Sequence, residues 1–283
     1  MTLPHFDLGG NGAPLHFLHA NGYPPDCYKP LFELLQPHFR VFGMKLRPLW
    51  PDSRPEELDD WRPLSDDLLR FFDEQKIESV IGVGHSIGGI VTLRAALREP
   101  SRFRGLVLID PVLFPPYFIA LWNLVRATGL GHRFHPKMEG ALRRRQAFDD
   151  LETVFRGYRR RNVFKNFSDA SLRAYIQGIT RPRQGGGWEL AYSPEWEARI
   201  YYTGIWRDFD LWRGLRKLQI PTLFIRGAQS DTFWAGSAAR VRRARPKVRM
   251  ETIESAGHLV PLERPQEVAD LIDSFVTQIA NLR

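Results

Sequence analysis

The chain has a single cysteine, Cys27, among its 283 residues. No internal disulfide can form, and nothing calls for an oxidising compartment. Long apolar runs are also missing. The nearest is Gly105 to Val125, and Asp110 with Pro111, Pro115 and Pro116 interrupts it. That pattern suits a buried strand leading into a helix, so no stable membrane insertion is expected. The opening MTLPHFDLGGNG has no basic segment followed by an apolar one, so no secretory signal is read and a cytoplasmic setting is expected. There is no internal repeat and no low-complexity tract.

Apolar residues make up 43% and charged residues 25%, a balance that excludes a disordered chain. The length suits one large α/β domain carrying an insertion. Net charge is +8, and the stretch from Leu113 to Trp212 holds 16 Lys and Arg against 10 Asp and Glu. Basic runs at Arg143–Arg145, Arg159–Arg161 and Arg240–Arg249 invite an anionic-partner reading. No nucleic-acid module accompanies them, so they are read as solvated helix faces and no nucleic-acid partner is expected.

Strand-like and helix-like segments alternate through the first 112 residues. His5–Leu8, Pro14–Ala20, Arg40–Leu46, Val80–His85 and Gly105–Asp110 read as strands. Tyr28–Phe39 and Pro63–Lys76 read as helices, with Ser65 expected as the N-cap of the second. From Leu113 to Trp212 the alternation stops, and 19 of the 35 aromatic residues fall there. Alternation then resumes with strands at Ile220–Gly227 and Val248–Glu254 and helices near Ala235–Arg245 and Pro265–Leu282. This order predicts an α/β core from 1–112 and 213–283, a mostly parallel sheet with helices on both faces, and an inserted helical lid at 113–212.

The glycine cluster VGHSIGG admits two chemistries. Gly82, Gly84 and Gly88 follow a strand and precede a helix, with Asp110 ending the next strand, as in a dinucleotide site. That reading fails at Ile87, where the third fingerprint glycine belongs, and at the motif's late place in the chain. The other reading is Gly84-His85-Ser86-Ile87-Gly88, a G-x-S-x-G turn. A serine on such a strand-to-helix turn takes unfavourable backbone angles, and its neighbours two residues away must lack bulk. Ser86 is then the candidate nucleophile, and the Ile87 N–H one donor to a developing oxyanion.

A serine needs a base, and the base needs an orienting acid. His258 lies after the last strand-like segment, and Asp231 lies beyond the strand before it, in the order Ser, acid, His. Asp231 also reads as a helix N-cap. The loop after the early strand, FLHANGYPPD, offers the Asn21 N–H as a second oxyanion donor, with His19 and His85 as loop-organising side chains.

With H-x-N-G at Asn21, G-H-S-x-G-G at Ser86, G-x-x-S-D at Asp231 and A-G-H at His258, the sequence resembles the α/β-hydrolase superfamily over nearly its whole length. The resemblance implies a mostly parallel sheet of about eight strands, a lid inserted after the strand ending near Asp110, and no metal or organic cofactor. The first antiparallel strand of the family has little room here, and Ala20 stands where members commonly carry glycine. Some members supply the acid from the strand where Asp110 sits, so Asp110 is the backup to Asp231. Serine at position 86, in place of aspartate, argues against the epoxide hydrolase and haloalkane dehalogenase branches. The expected reaction is hydrolysis of a carboxylic ester of a small to medium apolar or aromatic substrate. Acyl transfer, C–C bond hydrolysis and a non-catalytic binding role remain open. Aromatic residues of the insertion (Tyr117, Phe118, Trp122, Trp188, Trp196, Trp206) are read as pocket or as the insertion's own core. The segment Arg181–Glu189 is read as a flexible loop able to gate access.

Overall fold

The computed structural model describes residues 2–129 and 136–281. Residues 130–135 of the expected insertion and Leu282 of the expected last helix lie outside the described residues. The first stretch carries β1 (His5–Asp7), β2 (Ala13–Leu18), α1 (Lys29–Leu35), β3 (Phe39–Met44), α2 (Arg62–Glu74), β4 (Val80–His85), α3 (Ile87–Arg98) and β5 (Phe103–Ile109). Between β5 and the next sheet strand come α4 (Pro116–Ala127), α5 (Pro136–Leu142), β6 (Ala147–Phe148), α6 (Leu151–Arg159), α7 (Asp169–Ile179), β7 (Thr180–Pro182), β8 (Trp188–Leu190), α8 (Pro194–Thr203) and α9 (Phe209–Leu215). The chain closes with β9 (Thr222–Gly227), α10 (Ala235–Ala244), β10 (Arg249–Ile253), α11 (Val260–Glu263) and α12 (Pro265–Ala280).

Seven strands form one sheet in the order β1-β3-β2-β4-β5-β9-β10, in place of about eight. All neighbours run parallel except β1, a three-residue antiparallel edge on β3. Every residue of β4 and β9 is buried, as a parallel strand covered on both faces requires. Alternate residues of β5 serve opposite faces: Leu106 and Leu108 join the core under α2 and α3, while Val107 and Ile109 join the core under α1 and α12. Each large apolar side chain fully buried in these two layers contributes about 1.5–3 kcal/mol.

Helix α2 begins three residues before the expected cap. Pro63 sits in its first turn, and the Asp60 carboxylate accepts the Arg62 N–H at 2.8 Å. Ser65 is inside the helix, and its hydroxyl donates to the Val91 carbonyl at 3.2 Å, tying α2 to α3. The stretch Arg181–Glu189 is a hairpin: β7 and β8 pair antiparallel, and Gly185, Gly186 and Gly187 turn the chain with positive φ. With β6 they make a separate three-stranded sheet within the insertion. Trp122 and Trp196 are buried in the main core, Tyr117 is exposed, and the Trp206 ring lies beneath the Arg126 guanidinium. Among the described residues, no helix is long and apolar enough to cross a membrane.

Candidate active site

The turn after β4 needs its glycines. Ser86 takes φ 58° and ψ −119°, a conformation that costs free energy for a residue bearing a side chain. A Cβ on Gly84 would stand 2.4 Å from the Gly88 carbonyl oxygen, and one on Gly88 would stand 2.1 Å from that of Leu18. Both contacts are backbone, so neither position can make room for a larger residue. The Ser86 N–H donates to the Ile109 carbonyl at 3.0 Å, and the Ser86 carbonyl accepts from Gly89 N–H at 3.1 Å. The hydroxyl is thereby lifted over the carboxyl-terminal edge of the sheet, at the start of α3.

His258 arrives from the loop between β10 and α11. The Glu263 carboxylate accepts the Gly257 N–H at 2.9 Å and holds that loop, while Gly227 lets it pass close to β9. The imidazole spans two partners. Its Nδ1 is 2.9 Å from Asp110 Oδ1, and its Nε2 is 2.9 Å from Ser86 Oγ. A carboxylate only accepts, so Nδ1 carries the proton and the Ser86 hydroxyl donates to Nε2. Ser86 and Asp110 are buried, whereas the His258 side chain keeps 18% exposure.

The carboxylate that meets this histidine is Asp110, the expected backup, and not Asp231 as expected. Asp110, fully buried at the end of β5, receives His258 Nδ1–H and the Ser230 hydroxyl on Oδ1, and the Gly227 N–H on Oδ2 at 2.9 Å. Asp231 points outward with 66% side-chain exposure, 3.4 Å from Lys137 Nζ of α5, and accepts the Thr232 hydroxyl at 2.9 Å. Desolvation works to raise its pKa, but Lys137, the Thr232 hydroxyl and nearby His258 bring the carboxyl below its ordinary value. Asp231 is not an N-cap either, because Trp234 holds that position ahead of α10. Asp110, already the backup in the sequence reading, lies directly after β5, the sheet neighbour of β4.

Ile87 and Asn21, the expected oxyanion donors, follow β4 and β2 respectively. Ile87 is the first residue of α3, where N–H groups have no partner within the helix. Asn21 follows β2, and its side chain is held from the insertion: Nδ2 donates to the Glu197 carbonyl at 3.0 Å, and Oδ1 accepts the Tyr192 hydroxyl at 2.8 Å. His19 organises the loop as expected. It accepts the Leu46 N–H on Nε2 at 3.0 Å and donates from Nδ1 to the Ala20 carbonyl at 2.9 Å. Burial brings its pKa down to about 4, so the ring is neutral near pH 7.

The insertion meets this edge at several points. Arg94 of α3 pairs with Asp208 at 2.6 Å and the Trp61 indole donates to the Ile200 carbonyl, while Trp212 donates to the Phe114 carbonyl within the insertion. Phe114, Phe118 and Trp234 form an aromatic trio with ring centroids 4.7 to 5.1 Å apart. Among the described residues, no group of three or more His, Cys, Asp or Glu side chains is disposed to hold a metal ion.

Strand order, nucleophile turn and histidine loop together define an α/β hydrolase, and comparison with known proteins agrees. The model of the alpha/beta hydrolase family matches residues 17–271, and the chain belongs to that family of enzymes. It is 25% identical over 269 residues to a 2-(acetamidomethylene)succinate hydrolase of Mesorhizobium japonicum, covering 94% of this chain and 89% of that protein. It is 24% identical to epoxide hydrolase 3 of Mus musculus, over 95% of this chain and 72% of that one. A crystal structure of an E-2-(acetamidomethylene)succinate hydrolase superposes with a TM-score of 0.76 at 22% identity, covering 96% of this chain and 94% of that chain.

Proposed function

We propose that the protein is a serine hydrolase of carboxylic esters, with Ser86 as nucleophile, His258 as general base and acid, and Asp110 as the orienting acid. The observation that carries this reading is the line of hydrogen bonds Ser86 Oγ to His258 Nε2 and His258 Nδ1 to Asp110, each 2.9 Å. Such a line moves a proton off the serine while the carboxylate holds the imidazole tautomer and stabilises the imidazolium. The Ser86 oxygen attacks the acyl carbon as its proton passes to His258. The oxyanion is received by the N–H groups of Ile87 and Asn21, each worth about 3 kcal/mol to the transition state. His258 then returns the proton to the leaving alkoxide. Water, deprotonated by His258, attacks the acyl-enzyme, and collapse releases the acid and restores the Ser86 hydroxyl.

Residues 113–212 are proposed to act as a cap on this edge, since Lys137, Tyr192 and Glu197 reach the loops of Asp231 and Asn21. The aromatic trio of Phe114, Phe118 and Trp234 favours a small to medium apolar or aromatic substrate, because ring faces offer area without demanding hydrogen bonds. A serine, not a carboxylate, at position 86 sets the proposed chemistry apart from direct attack on an epoxide. A cytoplasmic setting is proposed with it, consistent with the lone buried Cys27.

A fluorophosphonate should label the wild type and leave Ser86→Ala untouched, and p-nitrophenyl esters of graded chain length should turn over. Absence of labelling, or equal labelling of both proteins, overturns the proposal. Ser86→Ala should lower kcat by about 10⁴-fold or more. Added alcohol acceptors in the same assay would expose acyl transfer.

A further inference from the structure

Beneath the triad runs a second polar line that the reaction scheme does not use. Tyr28 is fully buried at the start of α1, packed on Phe17 with ring centroids 4.7 Å apart. Its hydroxyl lies 3.1 Å from the Ala20 nitrogen and 2.7 Å from His85 Nδ1. His85, also fully buried, immediately precedes Ser86, and its Nε2 lies 2.9 Å from the His258 carbonyl oxygen. Three loops are thus joined: the Asn21 loop after β2, the nucleophile turn after β4 and the histidine loop after β10.

The ends of this line fix its polarity. A backbone N–H only donates and a carbonyl only accepts. Ala20 N–H must therefore give its proton to the Tyr28 oxygen, which gives its own to His85 Nδ1. His85 carries its remaining proton on Nε2 and donates it to the His258 carbonyl. Burial pushes the Tyr28 pKa well above its ordinary value and the His85 pKa well below, so the first stays a phenol and the second a neutral ring. Every member is satisfied with one tautomer and one hydroxyl direction. A buried network in that state is stiff.

The consequence reaches the oxyanion donor. Tyr28 holds the N–H of Ala20 and with it the His19–Ala20 peptide, while the next peptide is held through the Ala20 carbonyl by His19 at 2.9 Å and the Tyr23 N–H at 3.3 Å. In a trans peptide, the Ala20 carbonyl and the Asn21 N–H point in opposite directions, so pinning the first aims the second. The far end of the line grips the backbone of His258 itself.

We infer that Tyr28 and His85 are positioning residues of the acyl-transfer site, a buried relay that sets the Asn21 oxyanion peptide and the His258 base in register around Ser86. The inference rests on the serine-hydrolase reading above. Both side chains are fully buried, and the relay acts through the backbone it holds.

The test combines p-nitrophenyl ester kinetics with inhibition by an alkyl boronic acid, whose tetrahedral adduct on Ser86 puts an oxygen in the oxyanion site. Tyr28→Phe should lower kcat by about 10- to 100-fold with KM changed less than about threefold. The boronate inhibition constant should rise in proportion to the loss in kcat/KM. His85→Leu removes both the acceptor for Tyr28 and the donor toward the His258 carbonyl, and should show the same split. The double variant should fall no more than about twofold below the worse single, as expected for one unit. A Tyr28→Phe enzyme with kcat within about twofold of wild type, or losses that multiply in the double variant, overturns the relay. Should Tyr28→Phe fail to fold, the kcat and boronate readouts of His85→Leu decide the matter. Fluorophosphonate labelling of the wild type separates the two failures: an unlabelled wild type defeats the hydrolase reading, whereas a labelled wild type with an unaffected relay variant defeats the relay alone.

Discussion

Asp110 directly follows β5 and Asp231 lies in the loop after the adjacent parallel strand β9, and both are near His258 in space. Their surroundings are opposite. Asp110 has no exposed surface and receives His258, Ser230 and Gly227, whereas Asp231 turns outward toward Lys137. A buried carboxylate surrounded by donors stays in one place and can hold a histidine there. An exposed one is free to move and is screened by water. The comparison teaches that which carboxylate meets the histidine follows from enclosure and donor count, not from the spacing of motifs along the chain.

The largest effect is expected where the enclosure is turned against the histidine. Asp110→Asn should cut kcat by about 10⁴-fold, because an amide NH₂ facing Nδ1 would favour the wrong tautomer. Steady-state kinetics beside Asp231→Asn checks this, since Asp231→Asn should stay within about threefold of wild type. If Asp231→Asn proves the crippled variant, the assignment is reversed. Gly88→Ala should cost more than about 2 kcal/mol of stability in chemical denaturation, since its methyl would meet the Leu18 carbonyl oxygen at 2.1 Å. A milder loss is expected for Ser230→Ala, about 3- to 10-fold in kcat, as one of the donors to Asp110 disappears.

A third aspartate sharpens the contrast. Asp208 is as buried as Asp110, but it faces the Arg94 guanidinium, and one of its oxygens has no hydrogen-bond partner. Burial raises its pKa from 3.8 to about 6 in spite of the pull of Arg94. The folded chain then holds this proton at a pH where the unfolded chain has released it. The stability due to this proton is complete below the ordinary carboxylate range and is lost as pH rises through about 6. Lowering pH from about 7 to about 5 should therefore move Tm in favour of the wild type relative to Asp208→Asn. A Tm difference that stays flat or moves the other way would exclude this linkage.

Much of the fold could be read from the chain because its signals are local. Val80–His85 and Ile220–Gly227 read as strands since apolar residues and glycine dominate them. Gly84 and Gly88 flank Ser86 because the turn excludes any side chain there, and His258 follows the last strand as its position in the sequence suggests. The start of α2 was misread because Ser65 can serve equally as a cap or as a link between helices, and only the Val91 carbonyl decides. Arg181–Glu189 read as a loop from its glycines, yet those glycines form the tip of a hairpin whose partner strand is supplied by Phe148 and Ala147.

The sequence by itself determined the parallel sheet, the strained turn of Ser86 and the histidine loop. Each depends on periodicity or on a steric demand that neighbouring residues must meet. Only the tertiary structure decided which aspartate meets that histidine, and that Tyr28 reaches His85 across 57 positions. Those choices depend on how far apart strand ends lie and which side chains water can reach, and neither quantity is written in local order along a chain.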